Sequence, residues 1–248
     1  MTRSAAPTPI RDLRAVILVG GKGTRLYPYT ATFPKPLVPI GERPILELLI
    51  RRLVIAGVHD MVLALGHHGE LVQAYFGQRD ELLCDVDLSY VKEREPLGTA
   101  GALALVPGLD DTFLMLNGDV LTDIDFRALV AHHQRSGSTL TIGVHRRRVK
   151  VDLGILQLDG DDRVTGYIEK PEQTYDVSMG VYVMEPSALA HVEPGVYLDL
   201  PDLVHRLLDN GEPVGAFVTD CLWLDIGRPD DYATAQELYA FDPDAFLS

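Results

Sequence analysis

The apolar run Ala15-Val16-Ile17-Leu18-Val19 is continuous, the pattern of a strand covered on both faces. The spacing then predicts a helix over 44–56. Pro44 suits its first position, Ile45, Leu48, Leu49 and Leu53 form one apolar face, and Gly57 suits the stop. Strand patterns at 61–65, 88–91 and 113–116 alternate with helical ones at 70–76, 99–105 and 126–135, and Gly137 follows the last of these. This βαβα order predicts an α/β fold, Rossmann-like and doubly wound on a mostly parallel sheet.

The second half changes character. Strands are predicted at 138–145 and 180–184. A hairpin is predicted with arms 154–158 and 163–168 about the turn Asp159-Gly160-Asp161-Asp162. A helix over 200–208, strands at 214–218 and 222–224, and a closing helix over 229–239 complete a small α+β lobe on the same, therefore mixed, sheet. No repeat or linker divides the chain. The expected organisation is a flexible N-terminus over 1–12 and one domain over 13–241, its first part about 13–137 and its second about 138–241.

Composition narrows the function classes. The chain has 248 residues, with 22 Lys plus Arg against 36 Asp plus Glu, for a net charge of −14. A field of that sign disfavours nucleic acid and anionic membranes as partners. The opening residues have no apolar h-region and no stretch nears the ~20 apolar residues of a membrane helix, so a cytoplasmic protein is expected. Cys84 and Cys221 fit no metal or redox motif and read as buried thiols. An enzyme of this charge that handles anions needs a local phosphate site built from a few basic side chains, backbone N–H groups and a cation.

The candidate parts follow the strands. Gly20-Gly21-Lys22-Gly23-Thr24-Arg25 comes directly after the first strand and reads either as a flexible turn or as a loop whose N–H groups face phosphate. It is not a Walker A loop, because Gly23 follows Lys22, nor a dinucleotide fingerprint, because Leu26 holds the third glycine position. Phe33-Pro34-Lys35-Pro36-Leu37 stiffens the chain around one lysine. Glu95-Pro96-Leu97-Gly98-Thr99-Ala100-Gly101 opens a helix, and Leu116-Asn117-Gly118-Asp119 sets a carboxylate at the C-terminal end of a strand, where α/β sites form. Trp223-Leu224-Asp225-Ile226-Gly227 ends another strand in an acid, and Tyr167-Ile168-Glu169-Lys170-Pro171 ends one in an acid and a base.

The stretch from Val16 to Glu47, with its GGKGTRL and PKPLVP segments, resembles the N-terminal signature of the sugar-1-phosphate nucleotidyltransferases, and the likeness runs in order to about Ala240. It implies transfer of a nucleotidyl group from an NTP to a sugar-1-phosphate, with Mg²⁺ as cofactor. It assigns Gly20, Gly21, Gly23, Thr24, Gly98, Thr99 and Gly118 to the nucleotide. Arg25 would contact its β and γ phosphates and Lys35 the transferring phosphoryl group; losing one such contact costs roughly 2–4 kcal/mol of transition-state stabilisation. Asp119 and Asp225 would hold the metal. Glu169 would accept sugar hydroxyls, Lys170 would hold the sugar's phosphate, and Gly154 and Gly180 would allow close approach of the ring. The second part of the chain thereby becomes a sugar-binding lobe. Leu153 and Ser178 depart from the family's habit of an aromatic and an Asn near those glycines.

The motifs look closest to guanylyltransferases acting on mannose- or heptose-1-phosphate. Thymidylyl, uridylyl and adenylyl transfer stay open, as do a non-catalytic sugar-nucleotide-binding regulator and a homo-oligomeric state. The chain is expected to lack the long C-terminal β-helix domain of some relatives. His67-His68 and His132-His133 read as loop or surface residues, since adjacent residues chelate poorly, and Arg146-Arg147-Arg148 as a solvated patch.

Overall fold

The computed structural model describes residues 9–21, 23, 26, 30, 32–244 and 246–247. The first strand, β1, is Arg14–Val19, and its side chains divide between two apolar layers: Ala15, Ile17 and Val19 in one, Val16 in the other. A 3-10 turn at Lys35–Leu37 leads through β2 (Pro39–Ile40) and β3 (Arg43–Pro44) to α1 (Ile45–Ala56). Pro44 caps α1 from outside, one residue before the predicted position, and Gly57 ends it at φ 98°. Then come β4 (Asp60–Leu65), α2 (Gly69–Phe76), α3 (Asp80–Leu83) and β5 (Asp87–Lys92). The helix predicted over 99–105 is a short α4 (Gly98–Gly101) followed by a 3-10 turn. Next are β6 (Phe113–Asn117), β7 (Val120–Thr122) and α5 (Phe126–Ser136), which Asp125 caps by accepting from the Ala128 N–H at 2.9 Å.

Two later strands are longer than their apolar patterns. β8 is Leu140–Lys150 and β11 is Glu172–Met184. Their far halves are solvent-exposed, so they carry no burial pattern, and only their mutual pairing makes them strands. Between them lies the hairpin β9 (Ile155–Leu158) and β10 (Val164–Ile168). The chain closes with α6 (Leu200–Asp209), β12 (Val214–Thr219), β13 (Trp223–Asp225) and α7 (Pro229–Phe241).

Seven strands form one sheet in the order β12-β8-β11-β6-β1-β4-β5. β1 is parallel to β4 and β6, β4 to β5 and β12 to β8, while β11 runs antiparallel between β6 and β8. The sheet is thus mostly parallel with one reversed strand. From β1 the chain builds outward to β4 and β5, then returns to place β6 on the other side. The β1/β6 boundary is therefore a topological switch point, where a crevice opens beyond the strands' C-terminal ends.

Two sequence expectations fail in the packing. His133 is 1% exposed, not a surface residue: it shares the buried stripe of α5 with Leu129 and Val130. Its Nδ1 lies 2.8 Å from Thr141 Oγ1 and its Nε2 2.9 Å from Glu185. Burial pushes the imidazole's pKa down, against the opposing pull of Glu185. Cys84 is exposed at the end of α3 and Cys221 half-buried, so neither is a fully buried thiol; burial pushes the Cys221 thiol's pKa up.

Candidate active site

A cleft of about 290 Å³ opens at the switch point. Leu18 of β1 and Asn117 of β6 are partners in register and both line it. Gly20 and Gly21 continue β1 along one wall. Gly118 folds back beneath them, its N–H donating to Leu18 O at 2.9 Å. Gly23 stands close to Lys35, where a Cβ would come within 3.0 Å of the lysine's own Cβ. Thr24 and Arg25 lie outside the described residues.

The charged floor is made by three residues far apart in the chain. Asp119 immediately precedes β7. β13 pairs antiparallel with β7, placing Asp225 opposite Val120, so both acids emerge at one end of this ribbon. The ribbon is pinned by Thr122, which donates to Leu222 O at 2.7 Å, and by Trp223, whose Nε1 donates to Met179 O at 2.9 Å. Lys35, held by the prolines on either side of it, is 6% exposed. Its ammonium donates to Asp119 Oδ2 and stands 3.6 Å from Asp225 Oδ1. Asp225 Oδ1 also accepts from the Gly227 N–H at 2.9 Å. Two carboxylates that converge on one positive charge are a cation site in form.

The other wall is the α4 turn. Gly98 has φ +76°, and a Cβ there would stand 2.5 Å from Leu198 O, so the turn docks tightly on the 196–199 segment. Ala100 N and Gly101 N donate to the same Leu198 carbonyl. Thr99 does not cap α4; its hydroxyl accepts from Leu200 N at 2.7 Å, at the start of α6. Gly180, at φ +74°, leaves room for Asn117: a Cβ would come within 2.6 Å of Asn117 Nδ2.

Four polar lining residues, Asn117, Glu93, Tyr197 and Asp199, are not among those the sequence selects. Asn117 lies within the Leu116-Asn117-Gly118-Asp119 motif, beside Gly118 and Asp119, to which the sequence assigns roles. Glu93 immediately follows the β5 edge strand, its Oε2 accepting from Leu97 N at 2.9 Å. Asp199 looks in sequence like an ordinary cap before Leu200-Pro201, yet makes no cap hydrogen bond. It accepts instead from Thr99 N at 3.2 Å and from the Tyr197 hydroxyl at 2.7 Å. That bond pushes the Tyr197 phenol's pKa up. The signal for both residues lies in the docking of distant segments.

Gly154, Glu169 and Lys170 do not line the cleft. They sit on the exposed arm formed by β9, β10 and the far halves of β8 and β11. Tyr167 packs on Gly154 and its hydroxyl donates to Glu169 at 2.8 Å. Lys170 adopts φ 44°, in the left-handed region. Arg146 and Arg148 are exposed as expected, whereas Arg147 turns toward Asp231 of α7, 3.8 Å away.

Residues 14–241 match the family model described as nucleotidyl transferase. The mannose-1-phosphate guanylyltransferase catalytic subunit beta of Drosophila pseudoobscura pseudoobscura is 34% identical over 232 residues, 91% of this chain and 62% of that protein. A UTP–glucose-1-phosphate uridylyltransferase of Synechocystis sp. is 32% identical over 240 residues, covering 89% of this chain and 61% of its own length. The chain thus spans a little over three-fifths of these curated relatives. Among solved structures, HddC from Yersinia pseudotuberculosis complexed with GMP-PN superimposes with a TM-score of 0.67 at 27% identity, covering 92% of this chain and 99% of that one.

Proposed function

The chain belongs to the nucleotidyl transferase family, and we propose that it transfers a nucleotidyl group from an NTP to a sugar-1-phosphate, releasing pyrophosphate. The observation that carries this is the convergence of Asp119 and Asp225 on the Lys35 ammonium beside a glycine-walled cleft at the switch point. The lysine's charge stands in for the cation that two acids so placed would hold. Two carboxylates that leave other positions to water and phosphate oxygens suit Mg²⁺. Bound there, Mg²⁺ would neutralise charge developing on the departing pyrophosphate.

The protein's own groups do the rest by position and charge. Gly20, Gly21, Gly23 and Gly118 keep the wall free of side chains where the triphosphate lies, with Thr24 and Arg25 assigned to the same loop. Lys35, released from the carboxylates, follows the transferring phosphoryl group. The sugar-phosphate oxygen attacks the α-phosphorus as the bond to pyrophosphate breaks, so no protein nucleophile is needed. Gly180 and Asn117 border the space for the sugar. Gly154, Glu169 and Lys170 keep the roles of sugar approach, hydroxyl acceptor and phosphate partner, which require substrate and arm to meet at the cleft mouth.

Glu93 favours GTP. The Watson–Crick edge of guanine presents two adjacent N–H donors, which match a carboxylate, and no other common NTP base offers that pair. Gly98 and Thr99 supply the adjoining backbone. The guanylyltransferase relative and the GMP-PN complex of HddC support the same base, and mannose- or heptose-1-phosphate is the partner sugar we assign. We assign the protein to the cytoplasm, a compartment that supplies NTP.

Pyrophosphate release with Mg²⁺, measured across a matrix of NTPs and hexose- and heptose-1-phosphates, tests the reading. Release that requires GTP and one sugar phosphate together is the expected result. Silence across the matrix, with nucleotide-sugar binding retained, would instead identify a non-catalytic regulator. Asp225→Asn should abolish most turnover and leave the circular dichroism spectrum unchanged; near-normal turnover would remove Asp225 from the metal site.

A further inference from the structure

Four side chains that the proposed chemistry does not use converge on Glu47, in the first turn of α1. Glu47 is 3% exposed. Its Oε1 accepts from Arg51, whose Nε and Nη2 both lie 2.8 Å away, and its Oε2 accepts from the Tyr75 hydroxyl at 2.5 Å. A carboxylate offers about four lone-pair sites, so these contacts nearly satisfy it. Two more cations nevertheless stand over it: Arg43 Nε is 3.5 Å from Oε1 and Arg79 Nε 3.9 Å from Oε2. Burial, and next the bond to Glu47, push the Tyr75 pKa up, so the phenol stays neutral. Among the described side chains, Glu47 is the one carboxylate that pairs with any of the three arginines.

Three positive charges therefore share one negative charge. Charges of like sign held so close repel one another, and the surplus stands on a chain whose net charge is −14. Packing keeps it in place. Arg79 lies over the Tyr75 ring at 4.6 Å, Tyr75 meets the buried Phe76 edge-on, and Arg43 reaches the Tyr239 hydroxyl of α7 at 3.5 Å. The side chains of Arg43, Arg51 and Arg79 are still 33%, 35% and 48% exposed, so all three present N–H donors to solvent. The guanidinium fork matches phosphate oxygens, and a phosphoryl dianion supplies the two missing negative charges where a carboxylate supplies one. The cluster lies on the other side of the sheet from the α4 wall: Leu46 and Leu49 of α1 pack in the layer of Ile17, and Ala100 of α4 in the layer of Val16. None of its members lines the cleft.

We propose that Arg43, Arg51 and Arg79, oriented by Glu47, form a second anion site that takes the phosphoryl group of inorganic phosphate or of a small phosphate ester. The site is independent of the chemistry assigned to the cleft. Calorimetric titration of the full chain with inorganic phosphate, in EDTA and at low ionic strength, should show one saturable site with Kd of about 1 mM or below. Arg43→Gln with Arg79→Gln leaves Glu47 bonded to Arg51 and Tyr75, so the fold is kept, and phosphate should bind this variant at least ~10-fold more weakly. Lys35→Met, which alters the cleft, should leave the phosphate Kd within about two-fold of wild type.

Thermal melts give a second readout. Phosphate at about twenty times its Kd should raise the wild-type Tm by roughly 3–7 °C over chloride of equal ionic strength, and that of the double glutamine variant by less than about a third as much. Glucose 6-phosphate separates the two sources: tighter binding than inorganic phosphate identifies a phosphate ester as the occupant, and equal or weaker binding identifies inorganic phosphate. The absence of saturable heat up to about 20 mM phosphate would overturn the proposal. So would a Kd unchanged in the double glutamine variant, or binding lost in Lys35→Met, which would move the site to the cleft.

Discussion

Replacing Lys35 by Met keeps most of the aliphatic stem and removes the charge between Asp119 and Asp225. At the 3.6 Å separation from Asp225, a pair of unit charges in an effective dielectric of ~20 interacts by about 4–5 kcal/mol. The two carboxylates are 27% and 29% exposed, and screening brings each pair down to about 1–2 kcal/mol. The Asp119 contact is the closer and adds its share, while relief from desolvating the ammonium offsets part of the sum. Without divalent cation the variant should lose about 2–3 kcal/mol, a fall in Tm of roughly 4–10 °C for a chain of this size. Millimolar Mg²⁺ without nucleotide should then separate the two proteins. In the wild type the ammonium competes for the same oxygens, so Tm should move by only about 1–2 °C; in Lys35→Met the cation should recover more than half of the deficit. Turnover should still fall by roughly 10²–10³, because the phosphoryl contact is lost. Thermal melts with and without Mg²⁺ read the first effect and pyrophosphate release the second. Equal Mg²⁺ shifts in both proteins, or near-normal turnover, would refute a shared cation position.

Three further perturbations probe other parts of the molecule. Gly98→Ala forces a side chain into φ +76° and against Leu198 O; nucleotide affinity measured by calorimetry should drop about 10-fold or more, with strain of ~1–3 kcal/mol visible in the melt. Glu93→Gln should cut kcat/KM for GTP by about 10²-fold and leave other NTPs within a few-fold, in a competition assay. His133, its pKa depressed by burial, binds its proton more readily in the unfolded chain, whose imidazole titrates near pH ~6.5. Its contribution is therefore intact above that pH and is lost as the pH falls toward the lower folded value. Denaturant midpoints for wild type should decline on acidification through this window, and His133→Gln should flatten the decline.

Legibility of the fold in the sequence tracked burial. β1, α1, β4 and β6 were readable because each places apolar residues at the period of its own backbone against the core. The helix over 99–105 was readable as well, though not its division into one α-helical turn and a 3-10 turn, which accompanies the docking of Ala100 and Gly101 on the Leu198 carbonyl. The far halves of β8 and β11 were not, because an exposed ribbon imposes no alternation. His133 could have been found: it falls four residues after Leu129 and three after Val130, on the stripe that buries α5. At the cleft, Lys35, Asp119 and Asp225 were visible as strand-end or proline-framed charges, while Tyr197 and Asp199 reach it only through the docking of the 196–199 segment on Gly98 and Gly101. No local pattern encodes that contact.

The net charge of −14 sharpens what the cleft must do. Among the described residues that line it, Lys35 is the cation, against Glu93, Asp119 and Asp199, with Asp225 just behind. A triphosphate entering such a place would meet carboxylates before it met compensation. The four acids, however, are not equivalent. Glu93 is tied to Leu97 N and Asp199 to Thr99 N and Tyr197, on the α4 wall, where a base with donor groups would be welcome and a phosphate would not. Asp119 and Asp225 face one another across a positive charge, where phosphate is tolerated only through a cation. On the proposed function, this distribution of acids would orient the nucleotide by exclusion: base toward α4, phosphates toward the β1 loop and the paired aspartates. The acidic balance would then be part of how the cleft tells the two ends of a nucleotide apart, and the basic groups needed for affinity could be few.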